Sequence, residues 1–201
     1  MRLGAMIVTL LRRARDGTMS RWWNLYFRFA GVKMNGYIWI RKIEIPRDFH
    51  NIQLTDCSLD QVVLLCSGPA SDKVKLRIER GVYVNRRTFF DVIDELTVGE
   101  ETAIGPNCYI TDHDHGSDVD VAPLLQPMVS KPTRIGKFVW IGANVVILKG
   151  VTIGDRTIVG AGSVVTRSLP ADVVAVGVPA RVIRSRAAGD QAGLSSMEQR
   201  D

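Results

Sequence analysis

The run 135-IGKFVWIGANVVILKGVTIGDRTIVGAGSVVT-166 carries an aliphatic residue at every sixth position: Ile135, Ile141, Ile147, Ile153, Val159 and Val165. Glycine follows four of them directly, at Gly136, Gly142, Gly154 and Gly160. A step of six fits neither the 3.6-residue turn of a helix nor the simple alternation of a strand. It fits a short strand followed by a tight corner, repeated. The aliphatic residue then points into a narrow core, and glycine sits where the chain bends and crowds. Three such units close a triangular coil of about 18 residues, and coils stack into a solenoid. The Val, Ile, Thr and Gly content works against a helix over the same stretch.

Upstream the step continues through Ile110, Ile104 and Val98, the last two followed by Gly105 and Gly99. It resumes at Ile78, Val84 and Phe90, with two extra residues before Val98. The fold class read from this pattern is mainly β, a hexapeptide-repeat parallel β-helix. A β-sandwich with coincidental spacing is the competing explanation. Between Ile110 and Ile135 the ladder breaks for 24 residues that include TDHDHGSDVD. Their Asp, Gly and Pro content predicts an excursion loop over 111–134, and long excursions from rigid scaffolds often carry function.

The segments VWIGANVVI, GAGSVVT and GVPARVI resemble the hexapeptide-repeat acyltransferases. Within them they look like the galactoside, maltose and surface-polysaccharide O-acetyltransferases. The likeness runs from about Ile78 to Arg184. It implies a left-handed helix, a homotrimer and an active site between two subunits. It also implies an acetyl-coenzyme A donor and a sugar or glycan acceptor. Aligning IGPNCYITDHDHG on the family pattern places His115 on the catalytic histidine, with His113 as its rival. Many members carry Pro where this chain has Gly116. Chemistry points the same way: a base must take the hydroxyl proton during attack on the thioester, and an imidazole with a reference pKa of about 6.5 can do so. Asp112, Asp114, Asp118 and Asp120 are all candidates to orient it.

The resemblance also implies a donor groove lined by Trp140, Ala143, Ala161, Thr166 and Arg167, with Arg181 and Arg184 near the nucleotide end, where guanidinium suits phosphate. Asn85 matches an asparagine that relatives place beside the acceptor hydroxyl; a corner asparagine in a tight turn is the plainer reading. A zinc site built from His113, His115 and His50 is a weaker possibility, and no metal is expected. Transfer to the amine of a nucleotide-linked amino sugar is the second enzymatic reading. A non-catalytic β-helix module is the third.

The 201 residues suit one domain, and a net charge of +5 suits a polyanionic partner. No basic stripe interleaved with aromatics marks a nucleic-acid binder, and no GxxxxGK[ST] loop marks a nucleoside triphosphate site. The scattered Cys57, Cys66 and Cys108 read as buried small hydrophobes in a reducing compartment, hence a cytoplasmic protein. Residues 1–36 read as a partly helical cap in which Trp22, Leu25, Tyr26 and Phe29 form an apolar face. Arg12, Arg13, Arg15, Arg21 and Arg28 also allow a peripheral membrane contact. Residues 37–186 read as the acyltransferase domain and 187–201 as a flexible tail.

Overall fold

A computed structural model describes residues 2–186; the expected tail over 187–201 lies outside the described residues. Three parallel sheets wind round one core as a β-helix. The first face stacks Lys33–Asn35, Ile52–Thr55, Leu76–Ile78, Leu96–Val98, Thr133–Ile135 and Thr152–Ile153. The second stacks Trp39–Arg41, Ser58–Asp60, Tyr83–Val84, Ala103–Ile104, Trp140–Ile141 and Ile158–Val159, and ends in Val173–Gly177 paired antiparallel with Ala180–Ser185. The third stacks Val63–Cys66, Phe89–Val92, Tyr109–Thr111, Val146–Ile147 and Val164–Val165.

The six-residue ladder is the core. Ile78, Val98, Ile135 and Ile153 pair in register on the first face. Val84, Ile104, Ile141 and Val159 do so on the second, and Phe90, Ile110, Ile147 and Val165 on the third. All twelve are buried, and each contributes about 1.5–3 kcal/mol through burial. Coils below the readable ladder add Met34, Ile40, Leu54, Leu59 and Leu64 to the same columns. The helix therefore begins at Lys33, inside the segment read as cap.

The glycine after each rung answers to stacking. A Cβ on Gly105 would lie 2.7 Å from the carbonyl carbon of Gly142, and one on Gly142 would lie 2.5 Å from the Ala161 nitrogen. Positive φ falls elsewhere, on the third residue after the rung, as at Glu101, Asn107, Phe138, Asn144 and Arg156. A second insertion, before Leu76, is tied down by Lys75. Its buried ammonium donates to the Ser67 and Pro69 carbonyls at 2.7 and 3.0 Å.

One long helix, α1 (Arg2–Phe29), precedes the coils and lies against the first strand of the second face. Its core side is Ser20, Asn24 and Phe27, with Trp23 half-buried. The face expected from Trp22, Leu25, Tyr26 and Phe29 exists, but it is turned to solvent, with Phe29 94% exposed. The physical reason lies in Trp39–Arg41, an outermost strand whose backbone groups need partners. Asn24 supplies them, donating to the Ile38 carbonyl at 2.6 Å and accepting its N–H at 3.1 Å. The Ser20 hydroxyl accepts the Ile40 N–H at 2.9 Å. Hydrogen-bonding demand, rather than apolar area, chose which side of α1 faces inward.

Candidate active site

The break in the ladder is an ordered antiparallel hairpin. His113–His115 pairs with Met128–Ser130, His113 opposite Ser130 and His115 opposite Met128. It leaves the edge between the third and first faces and returns at Thr133, which is buried beside Leu96. The root is held by Asp112. Its fully buried carboxylate accepts the N–H groups of Ile93, Asp94 and Glu95 at 2.9, 2.7 and 2.7 Å. The two residues inserted before Val98 thus supply the corner into which this carboxylate fits. Farther out, the Lys149 ammonium binds Asp114 and the Val129 carbonyl, clamping the hairpin to the next coil.

The two loop histidines have different surroundings. His113 is buried, with Nδ1 at 3.1 Å from both Asp112 Oδ1 and Thr111 Oγ1. Its Nε2 lies 3.8 Å from Asp91 Oδ1. Asp112 can only accept hydrogen bonds while ionised, so it favours the tautomer with the proton on Nδ1 and the lone pair on Nε2. The Tyr109 hydroxyl donates to the other Asp91 oxygen at 2.8 Å. Burial, and then that hydrogen bond to a carboxylate, push the phenol up to about 12. The His115 ring is exposed and has no hydrogen-bonding or ionic partner among the described residues. Of the four aspartates considered as orienting groups, Asp112 is in place; Asp114 is engaged by Lys149, and Asp118 bonds within its own loop. Asp91 was missed by sequence reasoning. The only available signal was its position directly after the Phe90 rung, one coil below Thr111.

The expected donor residues divide between two edges of the prism. Trp140, 58% exposed, stands on the outside of the second face between Ala103 and Ile158. Ala143 and Ala161 stack at the edge between the second and third faces, where Gly162 N–H donates to the Ala143 carbonyl at 2.8 Å. Arg181 and Arg184 lie on the closing strand of the second face. Thr166 and Arg167 sit past the third face, on the same edge as the hairpin. Asn85 is at the second-to-third edge, and its Oδ1 accepts the Arg86 N–H at 2.8 Å, as the turn reading has it. Within the one chain the histidines, Asn85 and Trp140 are therefore not gathered into one cleft.

Other chemistries find little support. Burial pushes the Cys57 and Cys66 thiols up to about 12 and also raises that of Cys108, against thiolate nucleophiles. Among the described residues no group of three or more His, Cys, Asp or Glu side chains is arranged to hold a metal. His50 lies apart, its Nε2 at 3.2 Å from the Ser71 carbonyl.

The family described as bacterial transferase hexapeptide (six repeats) matches residues 132–167. The hexapeptide-repeat-containing acetyltransferase VCA0836 from Vibrio cholerae is 33% identical over 56% of this chain and 68% of its own, with a TM-score of 0.51. The chain belongs to the hexapeptide-repeat acetyltransferases. Its β-helix is accordingly left-handed, an exception to the usual right-handed parallel crossover. VCA0836 has also been solved with acetyl-coenzyme A. A galactoside acetyltransferase in complex with coenzyme A is 30% identical over 78% of this chain and 64% of its own, TM-score 0.56. In sequence, the chain is 39% identical over 111 residues to WbbJ of Escherichia coli K12, a candidate lipopolysaccharide-biosynthesis O-acetyl transferase. The match covers 51% of this chain and 57% of WbbJ, so the chain spans little more than half that relative's length.

Proposed function

We propose that the protein is an acetyl-coenzyme A-dependent O-acetyltransferase that modifies a sugar hydroxyl in surface polysaccharide or lipopolysaccharide biosynthesis. It works as a cytoplasmic homotrimer. The observation that carries the reading is the Asp112–His113 pair at the root of the hairpin. Asp112 is held in place by three N–H donors and fixes the imidazole, as a general base requires. His113 Nε2 takes the proton from the acceptor hydroxyl as its oxygen attacks the acetyl carbonyl. The tetrahedral intermediate then collapses, and the coenzyme A thiolate leaves and is protonated. His115, first by resemblance, is the second candidate for the base; its exposure leaves both ring nitrogens open to an acceptor.

Asn85, Trp140, Ala143, Ala161, Arg181 and Arg184 would meet the hairpin of a neighbouring subunit, as the separation of the two edges within one chain requires. Trp140 and the alanines would flank the pantetheine arm, Thr166 and Arg167 would close the same groove, and the arginines would take the phosphates. The side-chain nitrogen of Asn85 would donate to the developing oxyanion.

The test is thiol release from acetyl-coenzyme A with a panel of sugar acceptors, on wild type, His113→Ala and His115→Ala. We expect His113→Ala to lower kcat/KM by about 10²–10⁴-fold with donor binding retained. His115→Ala should stay within a few-fold. The reverse ranking makes His115 the base, and equal activity in all three removes the mechanism. Preferential acetylation of an amino sugar on a nucleotide would instead favour N-transfer.

A further inference from the structure

We infer that the outward face of α1 docks the protein on an anionic bilayer surface. The 28 residues of α1 hold six arginines and one acid, Asp16, a net +5. The whole chain also carries +5, so everything outside α1 is balanced. The basicity of this protein is thus a property of one helix.

Apolar residues share the helix with that charge. Leu11, Trp22, Leu25 and Phe29 are 65, 65, 63 and 94% exposed, on the side away from Ser20, Asn24 and Phe27. Val8, Met19 and Tyr26 border the stripe and are about half exposed. At 3.6 residues per turn, Arg12 lies about 100° from the stripe on one side and Arg21 about 80° on the other; Arg28 shares the margin of Arg21, but its guanidinium is held by the Met34 and Gly36 carbonyls. Cations along both margins of an apolar face belong to a helix lying in a headgroup layer, where the stems bury and the guanidinium groups reach phosphate. Arg12, Arg13 and Arg21 have no acidic partner among the described residues, and Arg15 is drawn aside to Asp16. Among the described residues no helix, α1 included, is long and apolar enough to cross a membrane. A second copy of the helix would set these arginines against one another. Anionic lipid neutralises them.

The amino-terminal part of α1 adds an independent observation. Met6, Val8, Leu10 and Leu11 are all 51–65% exposed, and burial against the coils starts only at Asp16. A monomeric soluble protein rarely leaves so continuous an apolar surface uncovered.

The test uses the full chain in flotation with phosphatidylcholine vesicles, with and without phosphatidylglycerol. Binding should favour the anionic vesicles at least ten-fold and weaken several-fold between low and high salt. Trp22→Ser/Phe29→Ser and Arg12→Gln/Arg13→Gln/Arg21→Gln should each lose at least ten-fold, with circular dichroism and oligomeric mass unchanged. Trp22, Phe29, Arg12 and Arg21 lie off the core face of α1 and Arg13 precedes the part that packs on the coils; all five are exposed, so folding survives. Equal binding to both vesicles, or to neither, overturns the proposal. So does a fall in oligomeric mass in Trp22→Ser/Phe29→Ser, which would make the stripe a contact between copies. The outcome is independent of whether the protein transfers acetyl groups.

Discussion

Asp91 is the residue that joins the site to the scaffold, because it faces both Tyr109 and His113. The shared carboxylate gives the Tyr109 phenol a distinctive titration. Its value stands near 12 against an ordinary 10, so the folded protein keeps a proton that the unfolded chain releases first. Stability from this group is therefore complete below about pH 10 and is lost as pH rises towards 12. An ultraviolet titration of the four tyrosines should show one late ionisation. It should vanish in Tyr109→Phe and move part of the way down in Asp91→Asn, since the negative charge goes while burial, the larger cause, and an amide oxygen acceptor remain. A late step that persists in Tyr109→Phe would mean that the phenol is not held as described. Sequence reasoning found Asp112 only as one of four candidates. Choosing among them required seeing that Ile93, Asp94 and Glu95 turn their N–H groups towards a single point.

At the scale of elements, α1 and the hairpin show two ways of attaching a segment to a β-helix. The hairpin is attached by the buried carboxylate of Asp112 and by the Lys149 ammonium. α1 is attached mainly by side-chain hydrogen bonds to an outermost strand, with Phe27 and Trp23 adding apolar contact. Asn24→Ala removes the acceptor of the Ile38 N–H and leaves the carbonyl with the Ser20 hydroxyl, where that residue is fully buried. We expect a loss of about 1–3 kcal/mol in denaturant unfolding. Asn24→Asp should be nearly as harmful, because a carboxylate cannot donate to the carbonyl. A loss below about 0.5 kcal/mol in both would show that α1 does not secure the end of the helix. The amphipathic pattern of α1 was legible in the sequence, but its orientation was not. Periodicity identifies the apolar side, whereas the edge strand selected the side with Ser20 and Asn24.

At the scale of the molecule, the prism separates Asn85 and Trp140 from the hairpin within one chain. Catalysis by the proposed route then depends on assembly. Sedimentation should give a particle near three times the 22.3 kDa chain mass. Activity should fall more steeply than protein concentration once the trimer dissociates. A stable monomer with full activity would sink the intersubunit site. The same view explains why the lower coils escaped sequence reading. Met34, Ile40, Leu54, Leu59 and Leu64 occupy the same columns as the later rungs. Their spacings, however, are broken by corners of unequal length, including the insertion that Lys75 ties down. Stacking requires alignment in space and tolerates any corner that restores it.

The amino-acid sequence by itself determined the β-helix, because a residue buried every sixth position and a glycine behind it admit few other backbones. It also marked the break at 111–134, since Asp, Gly and Pro there cannot continue the ladder. Tertiary structure alone decided which histidine has a fixed partner, which side of α1 is free and where the basic charge is displayed. Those outcomes depend on contacts between coils or ends far apart in the chain: Asp112 with Ile93–Glu95, Asn24 with Ile38, His113 with Asp91. Local pattern specifies which way a side chain can point. Only packing specifies what it meets.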